Sequence, residues 1–129
     1  MRWTASAASE RGSSTVEFAL VGALLTMLTL AILQLGLVVY VRNVVHDAAV
    51  AGAYQAALVD QGPDAGAQRT RLAITQAVGA GYANDVSVQY TDGGARVVVT
   101  VRAALPVLGL IGVPGSLEVS AGAPTEIVE

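Results

Sequence analysis

The sequence predicts an α+β protein in which a long amino-terminal transmembrane helix extends into a small extracytoplasmic domain with a second helix and a three-stranded antiparallel sheet. Three observations predict this architecture: a long uncharged apolar run, an amphipathic continuation of that run, and a later change of the hydrophobic period to two. The composition agrees, because 53% of the 129 residues are hydrophobic and only 13% are charged. The charged share of an ordinary soluble domain is about 25%.

The apolar run occupies residues 18–41, which carry no formal charge. A helix needs about 20 apolar residues to cross a hydrocarbon core of about 30 Å, so this run is long enough to span a lipid bilayer. Arg2 and Arg11 precede the run, whereas Arg42 stands alone after it. Basic residues favour the cytoplasmic side, so we expect a single-pass protein of the cytoplasmic (inner) membrane with a cytoplasmic amino terminus and an extracytoplasmic carboxy-terminal domain.

Two other interpretations of the run fit less well. The apolar core of a cleaved secretory signal is about 7–15 residues long, which is shorter than this run. A buried helix of a soluble bundle would need a second long helix to cover it, and the rest of the sequence offers none.

Beyond the run, apolar residues recur with helical spacing, which predicts that the same helix continues to about Leu58. The members of this stripe are Val41, Val44, Val45, Ala48, Ala49, Gly52 and Ala56. Their small side chains suit close packing against a sheet or a second helix. Gly and Pro then interrupt the chain between Asp60 and Gly66. A second helix is predicted over Ala67–Val78, with Asp64 as a candidate N-cap and Gly79 near its end.

After this helix the hydrophobic period changes to two, which is typical of strands. Val86, Val88 and Tyr90 alternate with polar residues, Asp92-Gly93-Gly94 forms a turn, and Arg96–Arg102 returns as the second strand of a hairpin. An apolar loop over residues 105–114 leads to a third strand around Val119. The sequence pattern is compatible with more than one order of the three strands.

Several classes of function are disfavoured by the sequence. The net charge is −3, which provides no basic field for nucleic acid. His46 and Asp47 lack further ligands at metal-binding spacing, so we interpret them as a solvated helix face. The aspartates of the turns are interpreted as capping residues, a common role for this residue type. We therefore predict no catalytic residues, no cofactor, no metal site and no small-molecule substrate, and we expect that the protein is not an enzyme.

The most informative residues lie just before the apolar run, from Gly12 to Phe18. If the chain were cut after Gly12, Ser13 would carry a new amino group one helical turn before Glu17. Glu17 of one subunit could then neutralise the terminal amine of its neighbour within an apolar bundle, where an unpaired carboxylate is costly. Glycine suits the cut site, because a protease must draw an extended backbone into its active site.

These residues and the helix that follows them resemble a known family. The segment Arg11–Leu20, the long apolar helix and Val39–Asn43 are similar to the start of TadE-like proteins, which are minor pilins or pseudopilins of tight-adherence (Flp-type) pilus systems. The valine-rich strand and the closing segment Ser120–Ala123 resemble the end of that family more weakly.

The resemblance implies a structural, non-enzymatic role in adhesive pilus assembly or secretion. It implies processing by a prepilin peptidase between Gly12 and Ser13, with Glu17 and Phe18 acting in subunit register and assembly. The expected partners are the prepilin peptidase, other pilin-like subunits and the pilus assembly machinery. The expected organisation is a leader peptide at residues 1–12, a pilin-like helix at 13–58 and a small α+β domain at 59–129.

A second hypothesis also fits the sequence. The protein could be an uncleaved, single-pass anchored binding module that recognises an envelope partner through the apolar loop at residues 105–114, because exposed apolar patches mark interfaces. The alternative role of this loop is to cover the sheet.

Overall fold

A computed structural model describes the backbone of residues 2–104 and 116–125, and the side chains of residues 10–104 and 117–125. The described elements are the helices α1 (Arg2–Ala57) and α2 (Pro63–Val78) and the strands β1 (Asp85–Thr91), β2 (Arg96–Ala104) and β3 (Ser116–Pro124). The predicted fold class is confirmed, with a long apolar helix, a second helix and a three-stranded antiparallel sheet. The loop predicted at residues 105–114 lies outside the described residues.

The chain divides into two units, Met1–Gly36 and Leu37–Glu129. The described part of the first unit is helical and belongs to α1. Its large apolar side chains are exposed, from Val16 to Leu35. The hydroxyls of Thr26 and Thr29 donate to the carbonyls four residues earlier at 2.8 Å, so these polar groups are satisfied within the helix.

In the second unit, α1 buries most of the stripe that the sequence predicts, and it also buries Ala53 and Ala57, which the prediction did not include. The buried side chains are Val41, Val45, Ala48, Ala49, Ala53, Ala56 and Ala57. Val44, which the pattern also placed on the stripe, is only half-buried. The buried α1 residues share one hydrophobic cluster with the inner face of the sheet. The carboxy-terminal part of α1 therefore packs against the sheet and forms part of the hydrophobic core.

The sheet is an antiparallel meander in the order β1-β2-β3. The register places Val99 opposite Val88 on one side and Ala121 on the other. Val97, Val99 and Val101 are fully buried, as their alternation predicts. On the opposite face, the hydroxyls of Thr100 and Ser120 lie 3.1 Å apart. This face is polar, so the sheet has one side toward the core and one toward solvent.

Helices α1 and α2 pack closely at a pair of glycines. A Cβ atom at Gly52 would lie 2.7 Å from the carbonyl oxygen of Gly66 and would also overlap the hydroxyl of Thr70. Thr70 is fully buried, and its hydroxyl donates to the carbonyl of Gly66 at 2.9 Å. Gly66 in turn lies against Ala56. The absence of side chains at both glycines is thus a requirement of this contact.

The start of α2 differs from the prediction. The helix begins at Pro63 with Gly62 as its N-cap, so the assignment of Asp64 as the N-cap was wrong. The reason is that proline at the first helical position is favourable, since its fixed φ suits the helix and its missing N–H is not needed there. Asp64 lies in the first turn, where its negative charge favours the helix dipole.

The end of α2 matches the prediction. Gly79 is the C-cap with φ of 104°, and its N–H donates to the carbonyl of Ile74 at 3.2 Å. A side chain at this φ would be strained, which explains glycine at this position.

The glycine contact gives a stability prediction. We expect Gly52→Ala to lower the free energy of unfolding of the carboxy-terminal unit by about 1–3 kcal/mol, because the added methyl group forces the two helices apart. Thermal unfolding of the full chain in detergent measures the change. Gly36→Ala is the matched control, since a Cβ at Gly36 meets no atom within 4 Å. Equal stability of the Gly52 variant and the control would contradict the close packing.

Candidate functional site

The four candidate site residues all lie in the amino-terminal unit, within α1. Gly12, Ser13, Glu17 and Phe18 are helical and exposed. The helix is continuous through the Gly12–Ser13 peptide bond. The structure therefore places the predicted cut site and the predicted assembly residues within two adjacent turns of one helix.

Glu17 and Phe18 share one face of this helix with two residues that were not predicted from the sequence. Ser14, Glu17, Phe18 and Val21 line a shallow, open depression on α1. Their spacing of three and four residues is the signal that could have found them, because such residues are neighbours on a helix surface. Phe18 is 80% exposed. Phe18 continues the exposed apolar surface of this helix, and a contiguous surface of this kind is typical of contact with lipid or another protein.

The carboxylate of Glu17 has no counterion within the described part of the chain. The ion pair there joins Nε of Arg102 to Oε2 of Glu118 at 3.2 Å on the sheet, far along the sequence. That pair is more than half exposed, so it contributes little to stability. Glu17 is available to interact with a group outside its own chain.

Gly12 is not required by packing in the folded chain. A Cβ at this position would meet no atom within 4 Å, and the residue has a helical backbone rather than a positive φ. Glycine costs about 1 kcal/mol relative to alanine inside a helix. Packing within the described structure therefore gives no reason for glycine at this position, as is also the case for Gly22 and Gly36 on the same helix.

The other polar residues considered in the sequence have ordinary surroundings. His46 and Asp47 are exposed on α1, as the interpretation of a solvated helix face predicts. Asp92 lies in the hairpin turn with φ of 56°, followed by two glycines that also have positive φ. Within residues 2–104 and 116–125, no group of three or more His, Asp or Glu side chains is arranged to hold a metal ion.

The helix that carries the site is long and apolar enough to cross a membrane. The candidate span is Glu10–Ala57, and only 6% of its most apolar window is buried within the described structure. The core helix of a soluble protein would be mostly buried, whereas this one exposes its apolar side chains. These features suggest that α1 is a membrane anchor.

Comparison with known families gives a match over the helix that carries these residues. Residues 12–53 match the model of the family described as TadE-like protein. These residues are a TadE-like region. The match begins at Gly12, includes Glu17 and Phe18, and confirms the resemblance predicted from the sequence. No curated protein and no solved structure matches the chain.

The presence of this TadE-like region supports the conclusion that the protein is a component related to tight-adherence (Tad) pilus systems. This family consists of structural pilus components and is not known for enzymatic activity. The family therefore implies association with pilus assembly components.

The membrane anchor can be tested with charged substitutions. Replacing Leu28 and Leu30 together by Arg should shift the protein out of the alkali-resistant membrane fraction, because each Arg near the centre of a spanning helix costs about 2.5–3.5 kcal/mol. Leu58→Arg with Leu72→Arg is the matched control, since these leucines are similarly exposed but lie outside the apolar run. Retention of both double variants in the membrane fraction would contradict the anchor.

Proposed function

We propose that this chain is a minor pilin or pseudopilin of a tight-adherence (Flp-type) pilus system, processed by a prepilin peptidase between Gly12 and Ser13. The observation that carries the proposal is that the TadE-like match begins at Gly12 and continues into an apolar helix with an exposed surface. The proposal makes the protein a structural subunit that assembles with other pilin-like subunits and the assembly machinery.

The proposed organisation follows from this role. Residues 1–12 form the leader, residues 13–58 the pilin-like helix, and residues 59–129 the small domain. The apolar segment at 18–41 lies in the cytoplasmic membrane, with the leader in the cytoplasm and the small domain outside. The two arginines that precede the apolar segment support this orientation, because basic residues are enriched on the cytoplasmic side.

The properties of Gly12 support processing at this position. The residue has room for a side chain in the folded helix, yet it is glycine. A protease binds its substrate with an extended backbone, and glycine stabilises a helix less than any other residue except proline. Gly12 therefore combines an accessible location with a low local cost of unwinding.

The proposed role of Glu17 follows from its environment. The carboxylate borders the apolar run, where an unpaired negative charge is costly once subunits pack together and exclude water. Cleavage would create an ammonium group on Ser13, and the Glu17 of a neighbouring subunit would then pair with it. Because both groups sit at fixed positions on their helices, this pairing would set the axial register of the two subunits. Phe18, which is 80% exposed, would pack in the same contact.

The processing step makes a direct prediction. In membranes from cells with an active prepilin peptidase, the chain should begin at Ser13, because hydrolysis removes residues 1–12. Mass spectrometry of the purified protein identifies the amino terminus. Gly12→Val should abolish processing, since a branched side chain hinders entry of the backbone into the protease. Gly22→Val is the matched control, because Gly22 is an equally open glycine on the same helix.

An intact Met1 terminus in those cells would overturn the processing step. It would favour the second candidate, an uncleaved anchored binding module.

The register role of Glu17 makes a separate prediction. Glu17→Ala and Glu17→Gln should both leave membrane insertion intact but reduce co-purification with pilin-like partners by about tenfold or more, because either change removes the charge of a desolvated ion pair. Glu10→Ala is the matched control, since this acid belongs to the leader and is absent from the processed chain. Unchanged assembly of the Glu17 variants would remove the proposed register role.

A further inference from the structure

One side-chain hydrogen bond spans the proposed cleavage site. The hydroxyl of Thr15 donates to the backbone carbonyl of Arg11, with an oxygen–oxygen distance of 3.0 Å. Arg11 lies on the leader side of the Gly12–Ser13 peptide bond, and Thr15 lies on the other side. The bond therefore closes the helical turn that contains the peptide bond to be cut.

Cleavage requires this turn to open. Hydrolysis adds one water molecule across the C–N bond between Gly12 and Ser13, which leaves a carboxylate on Gly12 and an ammonium group on Ser13. In a helix the N–H of each residue donates to the carbonyl four residues earlier, so the carbonyls around the cut site are occupied. A protease can bind an extended backbone only after these bonds are broken. The hydrogen bond from the hydroxyl of Thr15 to the carbonyl of Arg11 must also break.

We propose that Thr15 is a positioning residue that holds the Gly12–Ser13 bond in the helix and thereby slows its processing. This inference rests on the proposed function, because it concerns the rate of the same cleavage. Gly12 and Thr15 then act in opposite directions. Glycine weakens the helix at the cut site, whereas the hydroxyl of Thr15 adds one bond across it. The balance of the two sets how often the precursor presents an extended backbone.

The bond also makes the processed state different from the precursor. Once the leader departs, the carbonyl of Arg11 departs with it, and Thr15 has no residue four positions earlier to accept its hydroxyl. The first N–H groups of the new helix lose their acceptors in the same way. The restraint therefore exists only in the precursor, and cleavage removes it permanently.

The chain contains a matched internal control for this proposal. Thr26 and Thr29 form the same type of bond with Gly22 and Leu25, each at 2.8 Å, in the middle of the apolar run. They share the residue type, the helix and the bonding pattern with Thr15. They differ in their distance from the cut site, so the proposal expects an effect on processing only at Thr15.

The experiment compares processing rates of the full chain in cells that contain the prepilin peptidase. Pulse-chase labelling measures the rate, and mass spectrometry confirms the new terminus. Thr15→Val keeps the shape of the side chain and a similar helix propensity but removes the hydroxyl. We expect processing of this variant to be about fivefold faster, which corresponds to the net loss of one typical hydrogen bond. Thr15→Ser, which keeps the hydroxyl, should restore a rate close to that of the unchanged chain. Thr26→Val should leave the rate unchanged.

The outcomes separate this inference from the proposed function. Cleavage at Gly12–Ser13 with an equal or slower rate for Thr15→Val would overturn the role of Thr15 and leave the proposed function standing. The same acceleration in Thr26→Val would also overturn it, because the effect would then not depend on the cut site. An unchanged chain that is never cleaved at this bond would overturn the proposed function, and the inference would fail with it.

Discussion

A single helix has to serve two environments, and the rest of the structure follows from this constraint. Up to Gly36, α1 carries large apolar side chains that stay exposed, which suits contact with lipid. From Val41 onward its buried face consists of valine, alanine and glycine. The change from large to small residues has a physical reason, because the backbones of α1 and α2 approach so closely at Gly52 and Gly66 that no Cβ fits. The carboxy-terminal half of the helix is specialised for protein packing.

Much of the fold can be predicted from the hydrophobic periodicity of the sequence. The alternation around Val86, Val99 and Val119 predicts three strands because one face of the sheet is buried and the other is solvated. The start of α2 was missed because Pro63 follows a glycine, and the same pair reads either as a helix breaker or as a helix start. The burial of Thr70 could not be predicted, since it depends on the contact of α2 with Gly52, which lies in another element.

The relative placement of the candidate residues was predictable to a greater degree than the start of α2, because these residues all lie on one helix. Residue spacing alone decides which side chains share a helix face, so the proximity of Ser14 and Val21 to Glu17 and Phe18 could have been predicted from the sequence. The hydrogen bond from Thr15 to the carbonyl of Arg11 could not be predicted from the sequence, because the side chain of a helical threonine adopts either of two χ1 rotamers. The counterion proposed for Glu17 is absent from the precursor sequence altogether, since the cleavage reaction itself would create it.

Creation of this charge by cleavage would be a physical reason for making the proposed subunit as a precursor. In the proposed precursor, the positive charge nearest to the proposed cut belongs to Arg11, whose side chain would leave with the leader. In the proposed mature chain, the positive charge sits on the backbone of Ser13, one helical turn before Glu17, and the hydroxyl bond of Thr15 no longer ties this turn to the leader. A backbone ammonium has no long flexible stem, so its position is fixed by the helix itself. A charge fixed in this way can define the register between two helices more sharply than an arginine side chain, because less conformational entropy is lost when the pair forms.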